Sequence, residues 1–215
     1  MVEQHGHVIE PPRQPDTSGE VGLDHDEIKA ELRALLDDVD THSLGSFATS
    51  GSIPHAVNPG INVDDLGGIG LPLSRRDALE LSKVAHQAPF GKRTETIVDE
   101  SVRKTWELNS SQFTLQNPRW QQCMQGLVGR VANELGVIGG AKAVRAELYK
   151  LLLYEEGAFF ERHKDSEKAS GMFGTLVVAL PSSHQGGDVK TSFGTQERIL
   201  KTAPASKFGF SYLAW

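Results

Sequence analysis

The last third of the sequence is a series of short β-like segments separated by turn residues, and this pattern most restricts the fold. The segments are rich in branched aliphatic and aromatic side chains, and Gly, Ser, Pro and Asp stand between them. They are LYKLLLY (148–154), TLVVALP (175–181), DVKTSF (188–193), ERILKT (197–202) and KFGFSYLAW (207–215). Short segments of this kind are typical of a β-sandwich or jelly roll.

Three amphipathic helix patterns precede these segments. The first covers residues 24–38, and Ser74 opens the second. The third has Asn117 as a natural N-cap, Pro118 at its first position and Gly136 at its end. The apolar residues of the third helix form one stripe: Trp120, Met124, Leu127, Val128, Val131 and Leu135. Helices followed by strands predict an α+β domain in which N-terminal helices support a β core.

The same patterns predict how the chain is divided. Residues 1–22 have few apolar anchors and are predicted to be a disordered tail. Residues 23–215 are predicted to form a single domain, with helical support over 23–145 and the β core over 146–215. The stretch from 41 to 71 is rich in Gly, Ser and Pro, and we expect it to cross the surface in extended form. Its expected apolar anchors are Ile53, Val57, Ile61, Val63, Leu66 and Ile69.

The composition excludes several classes of protein. A chain of 215 residues with 38% hydrophobic and 23% charged residues can build one domain with a substantial core. Its net charge of -6 argues against a nucleic-acid partner, and no apolar run approaches the ~20 residues that span a bilayer. The first residues contain no signal-peptide pattern, and Cys123 is the only cysteine, so an internal disulfide is impossible. We therefore expect a cytoplasmic or nuclear protein with no membrane partner; the oligomeric state stays open.

A histidine and a carboxylate stand two residues apart in the charged run ERHKDSEK. In extended backbone, His163 and Asp165 would point to the same side. They could then offer one imidazole nitrogen and one carboxylate oxygen to a single metal ion. These are two of the three protein ligands of a 2-His-1-carboxylate iron site. The alternative interpretation is a solvated turn inside a charged run.

The residues around this pair extend it to a longer motif. The spacing is Y-x-x-G-x-x-[FY]-x-x-H-x-D followed by a glycine-glycine-acid turn, and its members are Tyr154, Gly157, Phe160, His163 and Asp165, then Gly186, Gly187 and Asp188. This motif resembles that of the prolyl 4-hydroxylase-like branch of the Fe(II)/2-oxoglutarate-dependent dioxygenases. The upstream stretches 46–61 and 86–108 are similar to a fungal subgroup of that branch, and the resemblance covers residues 44–215.

The resemblance implies both a fold and a chemistry. The family fold is a double-stranded β-helix, a jelly roll flanked by helices. His163 and Asp165 are implied to bind Fe(II), and Tyr154 to line the 2-oxoglutarate pocket, with no catalytic residue beyond the metal ligands. The implied partners are O2, 2-oxoglutarate as co-substrate, ascorbate as a candidate further cofactor, and a peptide, protein or small-molecule substrate. The implied reaction hydroxylates a C–H bond, with peptidyl proline as a candidate target.

The resemblance also implies a second histidine on a later strand and a basic residue beyond it, neither of which this sequence contains. His184 stands in the turn before the glycine pair, where the family does not place its ligand. The aromatic and apolar residues of KFGFSYLAW, 207–215, are unusual at a natural terminus. We therefore expect a truncated domain whose jelly roll is incomplete at the C-terminus and whose turnover is slight or absent.

Three hypotheses follow from these patterns. The chain is an incomplete dioxygenase, a non-catalytic paralogue or fragment that acts as a binding module, or an α+β scaffold in which the His-x-Asp pair is accidental. Iron stoichiometry and succinate release dependent on 2-oxoglutarate separate them.

Overall fold

The computed structural model describes residues 25–37, 45–88, 90–92, 95–97, 104–160 and 162–215. The chain divides into two units, Met1–Asp40 and Thr41–Trp215. The predicted disordered tail, residues 1–22, lies outside the described residues. In the described part of the chain, no helix combines the length and the apolar character that crossing a bilayer requires.

The first unit contains helix α1 (His25–Asp37), within one residue at each end of the predicted helix. Acidic residues in the first turn, Asp26 and Glu27, complement the positive N-terminal end of the helix dipole. Lys29 reaches back one turn to the Asp26 carboxylate at 3.3 Å. The predicted helix is therefore confirmed.

The second unit contains helices α2 (Arg75–Val84) and α3 (Pro118–Glu134), and both begin at the predicted caps. The Ser74 side chain accepts a hydrogen bond from the Asp77 backbone N–H, and the Asn117 side chain accepts one from the Arg119 N–H. Each cap satisfies a backbone donor that the first helical turn leaves unpaired.

Helix α3 ends in a glycine turn, as its sequence predicts. Gly136 has a φ of +72°, a conformation that side chains with a Cβ rarely adopt. The Val137 N–H donates back to the Ala132 carbonyl at 2.8 Å, which satisfies one of the last helical acceptors. Gly136 thus stops the helix and turns the chain.

The described strands are short, with two to five residues each. They are β1 (Thr49–Ser52), β2 (Ile61–Val63), β3 (Gly67–Gly68), β4 (His86–Gln87), β5 (Phe90–Lys92), β6 (Glu95–Ile97), β7 (Thr105–Asn109), β8 (Phe113–Leu115), β9 (Lys150–Tyr154), β10 (Leu176–Ala179), β11 (Val189–Phe193), β12 (Gln196–Leu200) and β13 (Ser211–Ala214). Two short 3-10 helices, Gly140–Ala143 and Ala203–Ala205, lie between them.

All described strand pairs are antiparallel, and they form several small sheets. The sheets have the strand orders β1-β13-β10, β3-β2-β8 and β4-β7-β9, with two further pairs, β5-β6 and β11-β12. The second unit is therefore a mixed α+β structure with few helices, which is the predicted class.

Strand β13 is the most buried strand of the molecule's described part, because both of its faces are covered. Tyr212 and Ala214 pack in one apolar cluster with residues of α3, whereas Leu213 packs in another with Ala48 and Leu200. All four residues of the strand are buried. Since neighbouring strand residues point to opposite faces, β13 separates two layers of core.

A second core supports the sheet β4-β7-β9. Leu108 of β7 is buried with Ile61, Val63 and Phe113, and Leu151 and Leu153 of β9 pack against the same cluster. This core holds β9, and the chain leaves β9 at Tyr154, directly before the candidate ligands. The position of the site therefore depends on this sheet.

The predicted division into a helical half and a strand half is not what the structure shows. Strands β1 to β8 precede residue 145, and β1 is a neighbour of β13 in one sheet. Helix α2 ends at Val84 because Ala85 is extended and His86 pairs with Glu107 of β7. These strands are too short to display the alternation that identifies strands in a sequence.

Candidate metal-binding site

The candidate ligands follow strand β9 through a glycine turn and two aromatic contacts. Gly157 has a φ of +81°, which favours glycine at this turn. The Tyr154 and Phe160 rings lie 5.7 Å apart between centroids, and the Phe160 and His163 rings also lie 5.7 Å apart. Aromatic pairs at such separations attract one another beyond simple burial. Phe160 therefore links the end of β9 to the His163 ring.

His163 and Asp165 lie side by side, as their spacing predicts. His163 Nε2 is 3.4 Å from Asp165 Oδ1, and the two side chains are 55% and 35% exposed. The separation is longer than a good hydrogen bond, although a protonated imidazole at this distance forms an ion pair. Two ligands bound at about 2.0–2.2 Å and at right angles to one ion lie about 3 Å apart. The pair thus fits two adjacent positions of one metal ion.

The two oxygens of Asp165 have different partners. Oδ2 accepts hydrogen bonds from the Thr175 hydroxyl at 2.7 Å and from the Trp215 indole N–H at 3.0 Å. Oδ1 is the oxygen that faces His163. The carboxylate is therefore held by one oxygen and presents the other towards the imidazole.

A cleft of about 190 Å³ borders the Asp165 side of the pair. Its walls include Asp165, Met172, Phe173 and Trp215. Phe173 is largely exposed, so aromatic surface is open to a ligand beside the carboxylate. Ser166, Glu167 and Thr175 also line the cleft, and its volume, below the roughly 300–1,000 Å³ of ligand pockets, suits one small group next to Asp165.

Tyr154, the residue expected at a 2-oxoglutarate pocket, stands at the end of β9. Its side chain is half-exposed, and its ring contacts the Phe160 ring. The Phe160 ring thus contacts both the Tyr154 ring and the His163 ring. A phenol in this position can contact a molecule bound beside the histidine.

The structure does not bring a third ligand to the pair among its described residues. There, no group of three or more His, Cys, Asp or Glu side chains lies close enough together to hold a metal ion. His184 is engaged elsewhere: Nδ1 lies 2.7 Å from the Ser182 carbonyl and Nε2 lies 2.9 Å from the Thr202 hydroxyl. Both ring nitrogens of His184 thus have structural partners.

The glycine pair of the motif lies in the turn that leads into β11. Gly186 and Gly187 have φ values of +70° and +71°, and β11 begins one residue after Asp188. The positive φ values explain why two glycines are needed there. The predicted turn before a strand is therefore confirmed.

Sequence reasoning missed Thr175 and Trp215 as contacts of Asp165. Thr175 is 10 residues and Trp215 is 50 residues from Asp165 along the chain. Neither contact has a local sequence signal, because it depends on how β10 pairs with β13.

It also missed a buried polar cluster on the sheet β4-β7-β9. Glu107 is 5% exposed, and its Oε1 lies 2.5 Å from Lys150 Nζ and 3.0 Å from His86 Nε2. The alternation of polar and apolar residues in TWELN (105–109) predicts a solvent-facing Glu107, so no local signal indicated its burial. The cluster compensates a buried carboxylate and contacts neither His163 nor Asp165 in any described interaction.

No family model, curated protein or solved structure matches this chain, so the evidence for its function comes from its own residues and contacts.

Proposed function

We propose that the second unit is an Fe(II)/2-oxoglutarate-dependent dioxygenase domain of the prolyl 4-hydroxylase-like type. In this proposal His163 and Asp165 bind the ferrous ion. The observation that carries it is the 3.4 Å separation of His163 Nε2 from Asp165 Oδ1. An exposed ion pair of this kind stabilises a fold by only about 0–1 kcal/mol, so stability gives little reason for the arrangement.

The proposed roles of the residues follow from their contacts. With Fe(II), 2-oxoglutarate and O2 bound, the site would have the oxidising power to convert a C–H bond to an alcohol while 2-oxoglutarate becomes succinate and CO2. His163 and Asp165 hold the ion, and Phe160 keeps the His163 ring in place by aromatic contact. Tyr154 lines the side of the site on which 2-oxoglutarate binds.

The cleft beside Asp165 supports a substrate with a small apolar group. Met172, Phe173 and Trp215 give it apolar walls next to the carboxylate that would bind the ion. A prolyl ring of a peptide or protein is a substrate of this kind, and a small molecule with an aliphatic ring is another. Peptidyl proline is the first candidate substrate.

We propose that the strands of the second unit form the core of a jelly roll. Its support is the antiparallel pairing of β1, β13 and β10 and the β11-β12 hairpin that packs through Leu200 against the same core as Leu213. Two layers of antiparallel strands around an apolar core are the arrangement of a jelly roll.

A second candidate function is a binding module without turnover, and the hydrogen bonds of His184 favour it. The described residues offer two ligands for a site that needs three, and His184 is hydrogen-bonded through both ring nitrogens. If the chain is such a module, we expect weak Fe(II) binding and little or no succinate release. A module that keeps the cleft while turnover is lost would still bind a peptide beside Asp165.

The test compares paired substitutions in the site and outside it. We expect His163→Asn and Asp165→Asn each to weaken Co(II) binding more than about 100-fold, beyond what the loss of an outer-sphere contact causes. Equilibrium dialysis under argon measures the binding of Co(II) and Fe(II), and succinate release is measured in the same samples. Because both side chains are partly exposed, the free energy of unfolding should change by less than about 1 kcal/mol.

The control variants are His55→Asn and Asp64→Asn, which make the same chemical changes at exposed residues outside the site. These should bind Co(II) as the unchanged protein does. Equal binding by the unchanged protein and by His163→Asn would show that the metal is held elsewhere and would exclude the proposal. Metal binding without succinate release would favour the binding module.

A further inference from the structure

The carboxylate of Asp165 is fixed by neutral hydrogen-bond donors on one side only. Thr175 Oγ1 and Trp215 Nε1 both donate to Oδ2, at 2.7 Å and 3.0 Å. The indole N–H can only donate, so this contact cannot reverse its polarity. A carboxylate held through one oxygen in this way keeps its other oxygen available to a metal ion.

Backbone hydrogen bonds between Thr175 and Trp215 set the position of the two donors relative to one another. The Thr175 N–H donates to the Trp215 carbonyl at 2.8 Å, and the Trp215 N–H donates to the Thr175 carbonyl at 3.2 Å. These bonds continue the pairing of β10 with β13, whose register joins Leu176 to Ala214. Trp215 directly follows β13, all four residues of which are buried, and Thr175 directly precedes β10.

The backbone next to Thr175 is also shaped for this contact. A Cβ added to Gly174 would lie 2.9 Å from the Trp215 carbonyl oxygen, closer than real Cβ atoms approach. Gly174 therefore allows the two segments to come close enough for both donors to reach Asp165.

We infer that Thr175 and Trp215 are positioning residues for the metal-binding carboxylate. This inference rests on the proposed function, because it assumes that Asp165 binds the ion. The two donors select the Asp165 rotamer in which Oδ1 lies beside His163 Nε2. Outer-sphere partners of this kind typically change metal affinity by about 10–100-fold when they are removed.

The test removes each donor by substitution, and Thr175→Val is the nearly isosteric change of the two. Thr175→Val deletes the hydroxyl and Trp215→Phe deletes the indole N–H, and each should raise the Co(II) dissociation constant about 10–100-fold. Thr175→Ser keeps the hydroxyl and should restore binding close to that of the unchanged protein. Co(II) dissociation constants are measured by equilibrium dialysis, and thermal unfolding of each metal-free variant shows that it is folded.

The chain offers matched controls with the same chemistry elsewhere. Thr49 Oγ1 donates to the Glu134 carboxylate at 2.6 Å, and Trp106 Nε1 donates to the Glu155 carboxylate at 2.6 Å. Thr49→Val and Trp106→Phe therefore remove equivalent bonds to carboxylates that are not proposed ligands. They should leave Co(II) binding unchanged.

The outcomes separate this inference from the function on which it rests. If the unchanged protein binds Co(II) and loses it in His163→Asn, but Thr175→Val and Trp215→Phe bind as tightly as the unchanged protein, the positioning role is wrong and the metal site stands. If Thr175→Ser binds as poorly as Thr175→Val, the hydroxyl is not responsible and the role is again overturned. If the unchanged protein takes up no Co(II), the proposed function fails and the inference fails with it.

Discussion

At the scale of single residues, Asp165 has the most specific surroundings in the candidate site. One of its oxygens accepts two hydrogen bonds, and the other faces His163. Two ordered donors on one oxygen fix the orientation of the Asp165 carboxylate. Under the proposed function, this orientation directs Oδ1 towards the metal ion.

Gly174 gives a prediction at the same scale. We expect Gly174→Ala to lower the free energy of unfolding by about 1–2 kcal/mol, since the new Cβ would push the Trp215 carbonyl away. The same shift should weaken Co(II) binding, because the Thr175 and Trp215 donors lose their common position. Urea unfolding and Co(II) dialysis measure the two effects.

The control for this substitution is Gly68→Ala in β3, where an added Cβ meets nothing within 4 Å. We expect that variant to unfold and to bind metal as the unchanged protein does. If Gly174→Ala were as stable and bound Co(II) as well as Gly68→Ala, the close approach at Gly174 would have no role in the site.

At the scale of elements, Tyr212 joins helix α3 to the sheet β1-β13-β10. Its hydroxyl donates to the Glu134 carboxylate at 2.8 Å, and Thr49 of β1 donates to the same oxygen. Its ring lies over Gly51, where an added Cβ would approach to 3.1 Å. One carboxylate at the end of α3 thus receives a hydrogen bond from each of two neighbouring strands.

This junction predicts a loss of stability in alkali. Burial, first, and then the hydrogen bond to Glu134 and its negative charge raise the pKa of Tyr212 above its ordinary value near 10, although Thr49 and Arg130 act in the opposite direction. Above pH 10 the unfolded chain loses the phenol proton while the folded chain still keeps it. The contribution of Tyr212 is therefore complete below pH 10 and is lost as the pH rises through the raised pKa.

Tyr212→Phe removes this titration. Urea unfolding between pH 8 and pH 11 should give a free energy that falls more steeply above pH 10 for the unchanged protein than for Tyr212→Phe. At pH 8 the variant should be less stable by about 1.5–3 kcal/mol, because one hydrogen bond to a charged group is lost. Parallel pH curves for the two proteins would contradict the role given to the phenol.

The elements that the sequence predicted correctly are those with strong local signals. The Asn117-Pro118 start and the Gly136 stop locate α3, and Ser74 locates the start of α2, since a cap satisfies backbone groups within a few residues. By contrast, β4 and β7 form because His86 and Gln87 pair with Glu107 and Trp106, some twenty residues away. A two-residue strand has no periodicity of its own, so only tertiary pairing specifies it.

At the scale of the whole molecule, the same difference explains what could be foreseen of the site. His163 and Asp165 are two residues apart, so local geometry predicts that they meet. Thr175 and Trp215 reach Asp165 only because β10 and β13 pair in one particular register. The residues that could bind the metal are thus predictable from a short motif, whereas those that orient them depend on the assembled sheet.

The layering of the second unit predicts where it resists opening. Strand β13 has hydrogen-bonded neighbours on both sides, β1 and β10, and every residue of it is buried. Strand β12 pairs only with β11 among the described strands, and four of its five residues are exposed. Local opening is easiest where few apolar contacts and exposed hydrogen bonds coincide. The amides of β12 should therefore exchange with solvent at least roughly tenfold faster than those of β13.

Native-state hydrogen exchange followed by mass spectrometry of peptides from 196–200 and 211–214 measures the ratio within one sample, so each strand is the control for the other. Equal exchange in the two peptides would mean that the hairpin and the central strand open together, and the sheet that holds Thr175 and Trp215 would then be no firmer than its surroundings.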